Sequence, residues 1–203
     1  MGYAGSYPDS AQQVVPIAVK ILIAGGFGAG KTTMVSSVTE IRPLRTEEHL
    51  TASSMNVDVT YGVEEKTTTT VAMDFGRITI RDDLVVYLFG TPGQKRFWFM
   101  WDELAYGASG AVVLADTRRL ADSFPSVDYF EQQGTPFMVA VNCFDGARRF
   151  APEIVRSALN LSRDVPVMLC DARQRASCRD VLVTLVEHAI WLLSRPGSVG
   201  AAR

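Results

Sequence analysis

Residues Gly25 to Thr32 read GGFGAGKT, which fits G-x-x-x-x-G-K-[ST] without a mismatch. The apolar run IAVKILIA (17–24) comes directly before it and a helix-compatible stretch directly after. A strand, a glycine-rich turn and a helix in that order form a phosphate-binding loop, because glycines let the backbone approach the anion and several N–H groups converge on it at the helix N-terminus. We therefore expect Gly25, Gly26, Phe27, Gly28, Ala29 and Gly30 to cradle a nucleoside polyphosphate. Lys31 supplies charge to the β- and γ-phosphates, Thr32 offers its hydroxyl to Mg²⁺, and Thr33 follows them into the site. A turn needing flexibility alone would have no use for Lys-Thr at that offset.

Composition narrows the rest. With 203 residues and 47% apolar content, the chain is large enough for one sizeable core and close to the usual size of one α/β domain. Twenty basic against 22 acidic residues, a net charge of −2, leave no basic stripe of the kind nucleic acid or anionic lipid demands. The longest apolar stretches are strand-length, well short of the roughly 20 residues of a membrane span. Three cysteines without a C-x-x-C pair suggest neither a disulfide framework nor a zinc site, and fit a reducing cytoplasm. The opening MGYAGS matches a myristoylation pattern, but the C-terminus offers no second anchor.

Strand and helix patterns alternate. We read residues 1–16 as a poorly ordered tail, 17–195 as the domain, and 196–203 as a second tail. IAVKILIA is a buried strand, and residues 30–41 a helix. VAMDFGRITI and LVVYLFG pair as a hairpin across Arg81, Asp82 and Asp83. A helix near 95–106, the strand GAVVLA, a helical stretch near 124–132, the strand PFMVAVN, a helix opened by Pro152, the strand VPVMLC and a helix over 177–194 complete the chain. That last helix is expected to bury Leu182, Leu185, Val186 and Ala189 on one face. Such alternation predicts an α/β fold with a mostly parallel sheet flanked by helices on both faces, and ligands at the strands' C-terminal ends. The phosphate loop, TPGQ, NCFD and CDAR all lie at such ends, which makes one site.

With these segments in this order, the chain resembles a Ras-like small GTPase, a P-loop NTPase, over about residues 17–194. In that resemblance TTVAMDFG is switch I, with Thr70 meeting Mg²⁺ and the γ-phosphate. TPGQKRF is switch II, with Gly93 as γ-phosphate sensor and Gln94 orienting the attacking water, so that Gln94, Lys31 and Thr70 carry the catalysis. NCFD matches N-x-x-D, where Asp145 accepts from guanine N1 and N2, Asn142 braces the loop and Cys143 stands in the lysine position. In CDAR (Asp171, Ala172 and Arg173 following Cys170) the Ala172 N–H faces guanine O6. The cofactors implied are GTP or GDP and Mg²⁺.

Three departures refine the resemblance. Gly90 stands where switch II usually opens with a carboxylate. The bacterial gliding-motility polarity GTPases (MglA-like) lack it too, and KTTTTVAMDFG, FGTPGQ and RFWFMWDEL are similar to the nucleotide-binding proteins of actinobacterial conservons. That likeness implies a roadblock-fold regulator and a sensor-kinase-like protein as partners, with recruitment to a membrane only through such a complex. Asp74 could approach Mg²⁺ from across the hairpin, or be a solvent-facing strand carboxylate. Cys143 removes an aliphatic stem that packs over the base. RPLRTEEHLTASSMNVDVTYGVEEK (42–66) extends switch I as a long polar loop, in which Arg42 and Arg45, like Arg96 of switch II, are candidates for an internal arginine finger.

The run Phe97-Trp98-Phe99-Met100-Trp101 holds too many large apolar side chains for one helix face. Phe97 and Trp101 suit the core at i, i+4, leaving Trp98 and Phe99 for an interface. Together these features predict a slow GTP hydrolase acting as a switch. The alternatives are a nucleotide-stabilised adaptor without turnover and an ATP-binding phosphotransferase, the latter leaving Asp145 without a purpose.

Overall fold

The apolar run before the phosphate loop becomes β1 (Ile17–Gly25), the middle strand of a seven-stranded sheet in the order β2-β3-β4-β1-β5-β6-β7. The computed structural model describes residues 16–42, 44–50, 69–93 and 95–195, with backbone alone for 44–50, 69–72, 95, 96 and 98. The expected tails at 1–15 and 196–203, most of the extended switch I region, and Gln94 lie outside the described residues. So do the side chains of Arg45, Thr70, Arg96 and Trp98.

β1 runs parallel to β4 (Leu84–Gly90) on one side and β5 (Gly110–Ala115) on the other. Beyond β5 come β6 (Phe137–Asn142) and β7 (Val167–Cys170), both parallel. Strands covered on both faces read as unbroken apolar runs, which is why these segments show no alternation. Ile21 and Ile23 pack under α1 (Lys31–Val38) and α5 (Arg175–Leu193), against Met34, Val35, Val181 and Leu185. Leu22 and Ala24 face the opposite layer, where α3 (Phe124–Gln133) and α4 (Pro152–Ala158) contribute Val127, Phe130 and Val155.

β3 (Thr69–Arg81) is antiparallel to β4, forming the expected hairpin. On its outer edge lies β2 (Leu44–Leu50), antiparallel and in register from Leu44 opposite Phe75 to Leu50 opposite Thr69. The sequence reading made this segment part of a long loop. LRTEEHL lacks apolar alternation, but an edge strand is held by backbone hydrogen bonds to one neighbour and needs little of it. α1 stops at Val38, earlier than the periodicity suggested, because Thr39 turns extended and its hydroxyl accepts the Arg77 N–H at 3.0 Å. In α5 the buried face is Cys178, Val181, Leu182, Leu185 and His188, whereas Val186, expected inside, is exposed.

After Gly93 the chain forms a 3-10 turn over Lys95–Met100 and then α2 (Trp101–Ala105). This division sorts the aromatic run: Phe97 and Trp101 are buried, and Phe99 is 60% exposed. Trp101 lies between Tyr129 (edge-on, centroids 5.1 Å) and Phe130 (stacked, 5.9 Å), with Nε1 donating to the Pro92 carbonyl at 3.3 Å. Trp101→Ala should therefore cost about 3–5 kcal/mol in urea unfolding, and Phe99→Ala less than about 0.5 kcal/mol. Equal costs would show that the run packs as a unit.

Candidate nucleotide site

The phosphate loop sits between the end of β1 and the start of α1, where Gly30 is the residue before the first helical turn. Gly25, Gly28 and Gly30 have φ of 133°, 75° and 106°, a region open to glycine at no steric cost. Space forbids a side chain as well: a Cβ at Gly25 would strike the Leu114 carbonyl, and one at Gly30 the Asn142 amide nitrogen. The Lys31 ammonium donates to the Gly25 and Gly26 carbonyls at 2.9 and 2.8 Å. Burial pushes it down to about 8, opposed by the negative charge of Asp74. Gly93 completes this corner, since a Cβ there would lie 2.7 Å from Lys31 Nζ and 2.9 Å from the Phe27 nitrogen. The loop, Lys31 and Gly93 thus meet at one corner.

Asp74 brings a carboxylate to the phosphate-loop end of the site. The Thr32 hydroxyl donates to its Oδ2 at 2.5 Å. Asp74 pairs with Gly90 across the hairpin, and a Cβ on Gly90 would lie 3.1 Å from Asp74 Cβ and 3.2 Å from Oδ2. The Asp74 side chain therefore fills the space that a residue at 90 would otherwise claim. Beside Gly90, Thr91 Oγ1 is buried with no hydrogen-bond partner among the described residues. Thr70 is a strand residue opposite His49, four positions along β3 from Asp74, and at about 3.3 Å per residue its Cα stands roughly 13 Å from that of Asp74. Thr33 and Arg173 border a shallow cleft with Thr32, Ser36 and Ser37.

Asn142 links the two halves of the site. Buried at the end of β6, it donates from Nδ2 to the Ala29 carbonyl at 2.9 Å and accepts the Ala172 N–H at 3.1 Å. Asn142 thus spans the phosphate loop and the loop after β7, and the Ala172 N–H, expected to face guanine O6, donates here to Asn142. Cys143 N–H donates to the Cys170 carbonyl at 2.7 Å, drawing the NCFD and CDAR loops together. Asp145 is 83% exposed, and Arg173 reaches it with Nη1 at 2.5 Å and Nη2 at 3.1 Å. The same guanidinium donates to both Asp171 oxygens at 2.9 Å. Hydrogen bonds from Arg173 hold both carboxyls below their usual range.

One strand end escaped the sequence reading. The segment after β5, Asp116 to Asp122, reaches both halves of the site. Arg118 is clamped by Asp116, Nη2 to Oδ2 at 2.7 Å, and lies 3.8 Å over the Phe144 ring of the NCFD loop. Arg119 Nη2 donates to the Phe27 carbonyl at 2.6 Å, and Asp122 packs against Gly26. The signal was available: a parallel strand ends there, and its C-terminal loop carries D-T-R-R. Arg42, a candidate finger, is exposed beyond α1.

The sheet order, the helix layers and a phosphate loop at the end of the middle strand define a P-loop protein with the G-domain fold. Residues 23–191 match the family described as conserved hypothetical ATP binding protein, and the chain belongs to that family. An uncharacterized protein of Methanocaldococcus jannaschii is 30% identical over 129 residues, which cover 63% of this chain and 71% of that protein. Among solved structures, the G domain of the T. maritima FeoB iron transporter aligns with a TM-score of 0.59 at 17% identity, covering 85% of this chain and 99% of that domain. The FeoB G-domain from Methanococcus jannaschii gives 0.58 at 13%, covering 85% and 98%. The GDP form I of the T. maritima FeoB cytosolic domain gives 0.61 at 17%, covering 86% of this chain and 64% of that one. At these identities the likeness is one of fold.

Asn142→Ala would leave the Ala29 carbonyl and the Ala172 N–H without partners, each worth about 1–3 kcal/mol when buried. We expect the nucleotide-free protein to lose about 3 kcal/mol in urea unfolding. A loss under about 0.5 kcal/mol would mean the loops are joined by other contacts.

Proposed function

We propose that this chain is a guanine-nucleotide switch that hydrolyses GTP to GDP slowly and signals through a regulator bound beside switch II. The observation that carries the reading is the Asn142 bridge, which joins a phosphate loop to a base loop as N-x-x-D chemistry requires. A carboxylate has about four acceptor sites, and Arg173 takes two on Asp145. The remainder suit the N1–H and N2 amino donors of guanine. Adenine has no N2 amino group and a bare acceptor at N1, so it would set a lone pair against the carboxylate. The family's description names ATP, which makes base choice the first thing to measure.

The donors at the phosphate end fit Mg²⁺: a hydroxyl at Thr32 and a carboxylate at Asp74, both oxygen, in the number this ion takes from protein when phosphates and water supply the rest. When bound, the ion would neutralise charge on the phosphates. Lys31 would turn from the loop carbonyls to the phosphate oxygens, the loop N–H groups would hold the β-phosphate, and Gly93 would let the γ-phosphate approach. Gln94 follows Gly93 in the chain and is our candidate for orienting the attacking water. A second reading, an adaptor that binds nucleotide without turnover, draws support from Gly90 and Cys143, which stand where the resemblance calls for a carboxylate and a lysine.

The partner surface rests on Phe99, exposed in the 3-10 turn just after the nucleotide sensor. Exposed aromatics at such a place suit a nucleotide-dependent contact, and the conservon resemblance supports a roadblock-fold protein as the occupant, with a sensor-kinase-like protein in the same complex. We place the protein in the cytoplasm, meeting membranes only through partners. No helix among the described residues is long and apolar enough to cross one.

GDP at about 100 times its dissociation constant should add roughly 2.7 kcal/mol of stability, a clear rise in melting temperature, while ADP at the same concentration should add none. Equal shifts would remove the guanine assignment. In single-turnover assays GTP should be cleaved at about 10⁻⁴ to 10⁻² per second, and Asp74→Asn should raise the half-saturating Mg²⁺ concentration by about tenfold, the loss of one charge-assisted ligand. Tight GTP binding with no cleavage, alone or with a roadblock-fold protein, would establish the adaptor. An unchanged Mg²⁺ requirement would remove Asp74 from the ion's shell.

A further inference from the structure

Arg119 belongs to none of the motifs that define the nucleotide site, yet its guanidinium covers one peptide of the phosphate loop. Nη2 donates to the Phe27 carbonyl at 2.6 Å, and a Cβ on Gly28 would lie 3.2 Å from the same nitrogen. The arginine is itself held from behind. Its N–H donates to the Asp116 carbonyl at 2.9 Å, its own carbonyl accepts the Asp122 N–H at 3.0 Å, and the Asp122 carboxylate stands 3.8 Å from Nε. Asp122 Cβ in turn lies 2.6 Å from where a Cβ on Gly26 would stand, so the loop after β5 touches the phosphate loop at two successive peptides.

We propose that Arg119 is a positioning residue for phosphate recognition, acting through the Phe27–Gly28 peptide. The inference rests on the nucleotide reading of the phosphate loop given above. A peptide unit is planar and trans, so its C=O and N–H point in opposite directions. Pinning the Phe27 carbonyl toward Arg119 therefore aims the Gly28 N–H away from it, to the interior of the loop. Gly28, at φ 75°, has the backbone freedom to let that peptide turn over, and the arginine removes it. The cation also polarises the peptide, which makes the N–H a stronger donor to an anion.

Both effects grow with the charge facing the N–H. They are larger for a triphosphate than for a diphosphate. They are larger again as the water oxygen bonds to the γ-phosphorus and the bond from that phosphorus to the bridging oxygen breaks. Its electron pair then remains on GDP, and the water's proton leaves with inorganic phosphate. Arg119 touches none of these atoms and works through the loop. As a surface partner of Asp122 alone, half exposed and at 3.8 Å, it would contribute almost nothing.

The test compares the full-length protein with Arg119→Ala and Arg119→Lys by calorimetric titration of GDP and of a non-hydrolysable GTP analogue, by single-turnover hydrolysis and by thermal melting. For Arg119→Ala we expect a melting temperature within about 2 °C of wild type, since the side chain is half exposed. Affinity for the GTP analogue should fall about tenfold and hydrolysis should slow by a similar factor, with GDP affinity changed less than about threefold. Arg119→Lys, whose ammonium can still donate to the Phe27 carbonyl, should recover most of the loss. Wild-type behaviour of Arg119→Ala would overturn the inference alone. So would equal losses for both nucleotides with a lowered melting temperature and no rescue by lysine, the pattern of a merely structural contact. A wild-type protein that binds neither nucleotide would overturn the reading of the loop and this inference with it.

Discussion

The buried side chain of Asn142 is the contact on which the site depends. It stands at the end of β6, yet both its hydrogen bonds leave the strand, one to the phosphate loop and one to the loop after β7. A carboxamide carries donors and an acceptor on one planar group, so one residue reaches both loops at once. The sheet brings the loops to one edge, and Asn142 ties them there together with Ser37 of α1, whose hydroxyl donates to the Ala172 carbonyl at 2.6 Å. Gly30 follows from this constraint, because the amide nitrogen occupies the place of its Cβ.

A second constraint links Asp74 to Gly90. These residues face each other across the β3–β4 hairpin, and a side chain at 90 would crowd Asp74 at 3.1 to 3.2 Å. A glycine at 90 looks like a lost carboxylate in the sequence alone. In three dimensions it leaves space beside a carboxylate arriving from the neighbouring strand, which reaches the Thr32 hydroxyl. The charge has changed strands while staying in the same part of space.

Much of this was legible because it is local. The phosphate loop, the buried strands and the hairpin turn are written in consecutive residues, and burial on two faces makes the parallel strands unmistakable. What was missed depends on pairing at a distance. β2 carries no apolar pattern, and its partner supplies its structure. The bond from the Ala172 N–H to Asn142 joins residues 30 positions apart, which no local pattern announces. Arg119 is unremarkable along the chain, since its meaning comes from a carbonyl 92 positions away.

The guanidinium of Arg173, shared between Asp145 and Asp171, gives both carboxylates a counter-ion within the protein itself. Asp145 already has a counter-ion, and Lys31 already has two carbonyl acceptors. Whatever these contacts contribute would be subtracted from the affinity of any ligand that breaks them. The two ends of the site answer differently to salt: the Arg173–Asp145 pair is open to solvent and weakens as ionic strength rises, while the buried Lys31 is screened much less.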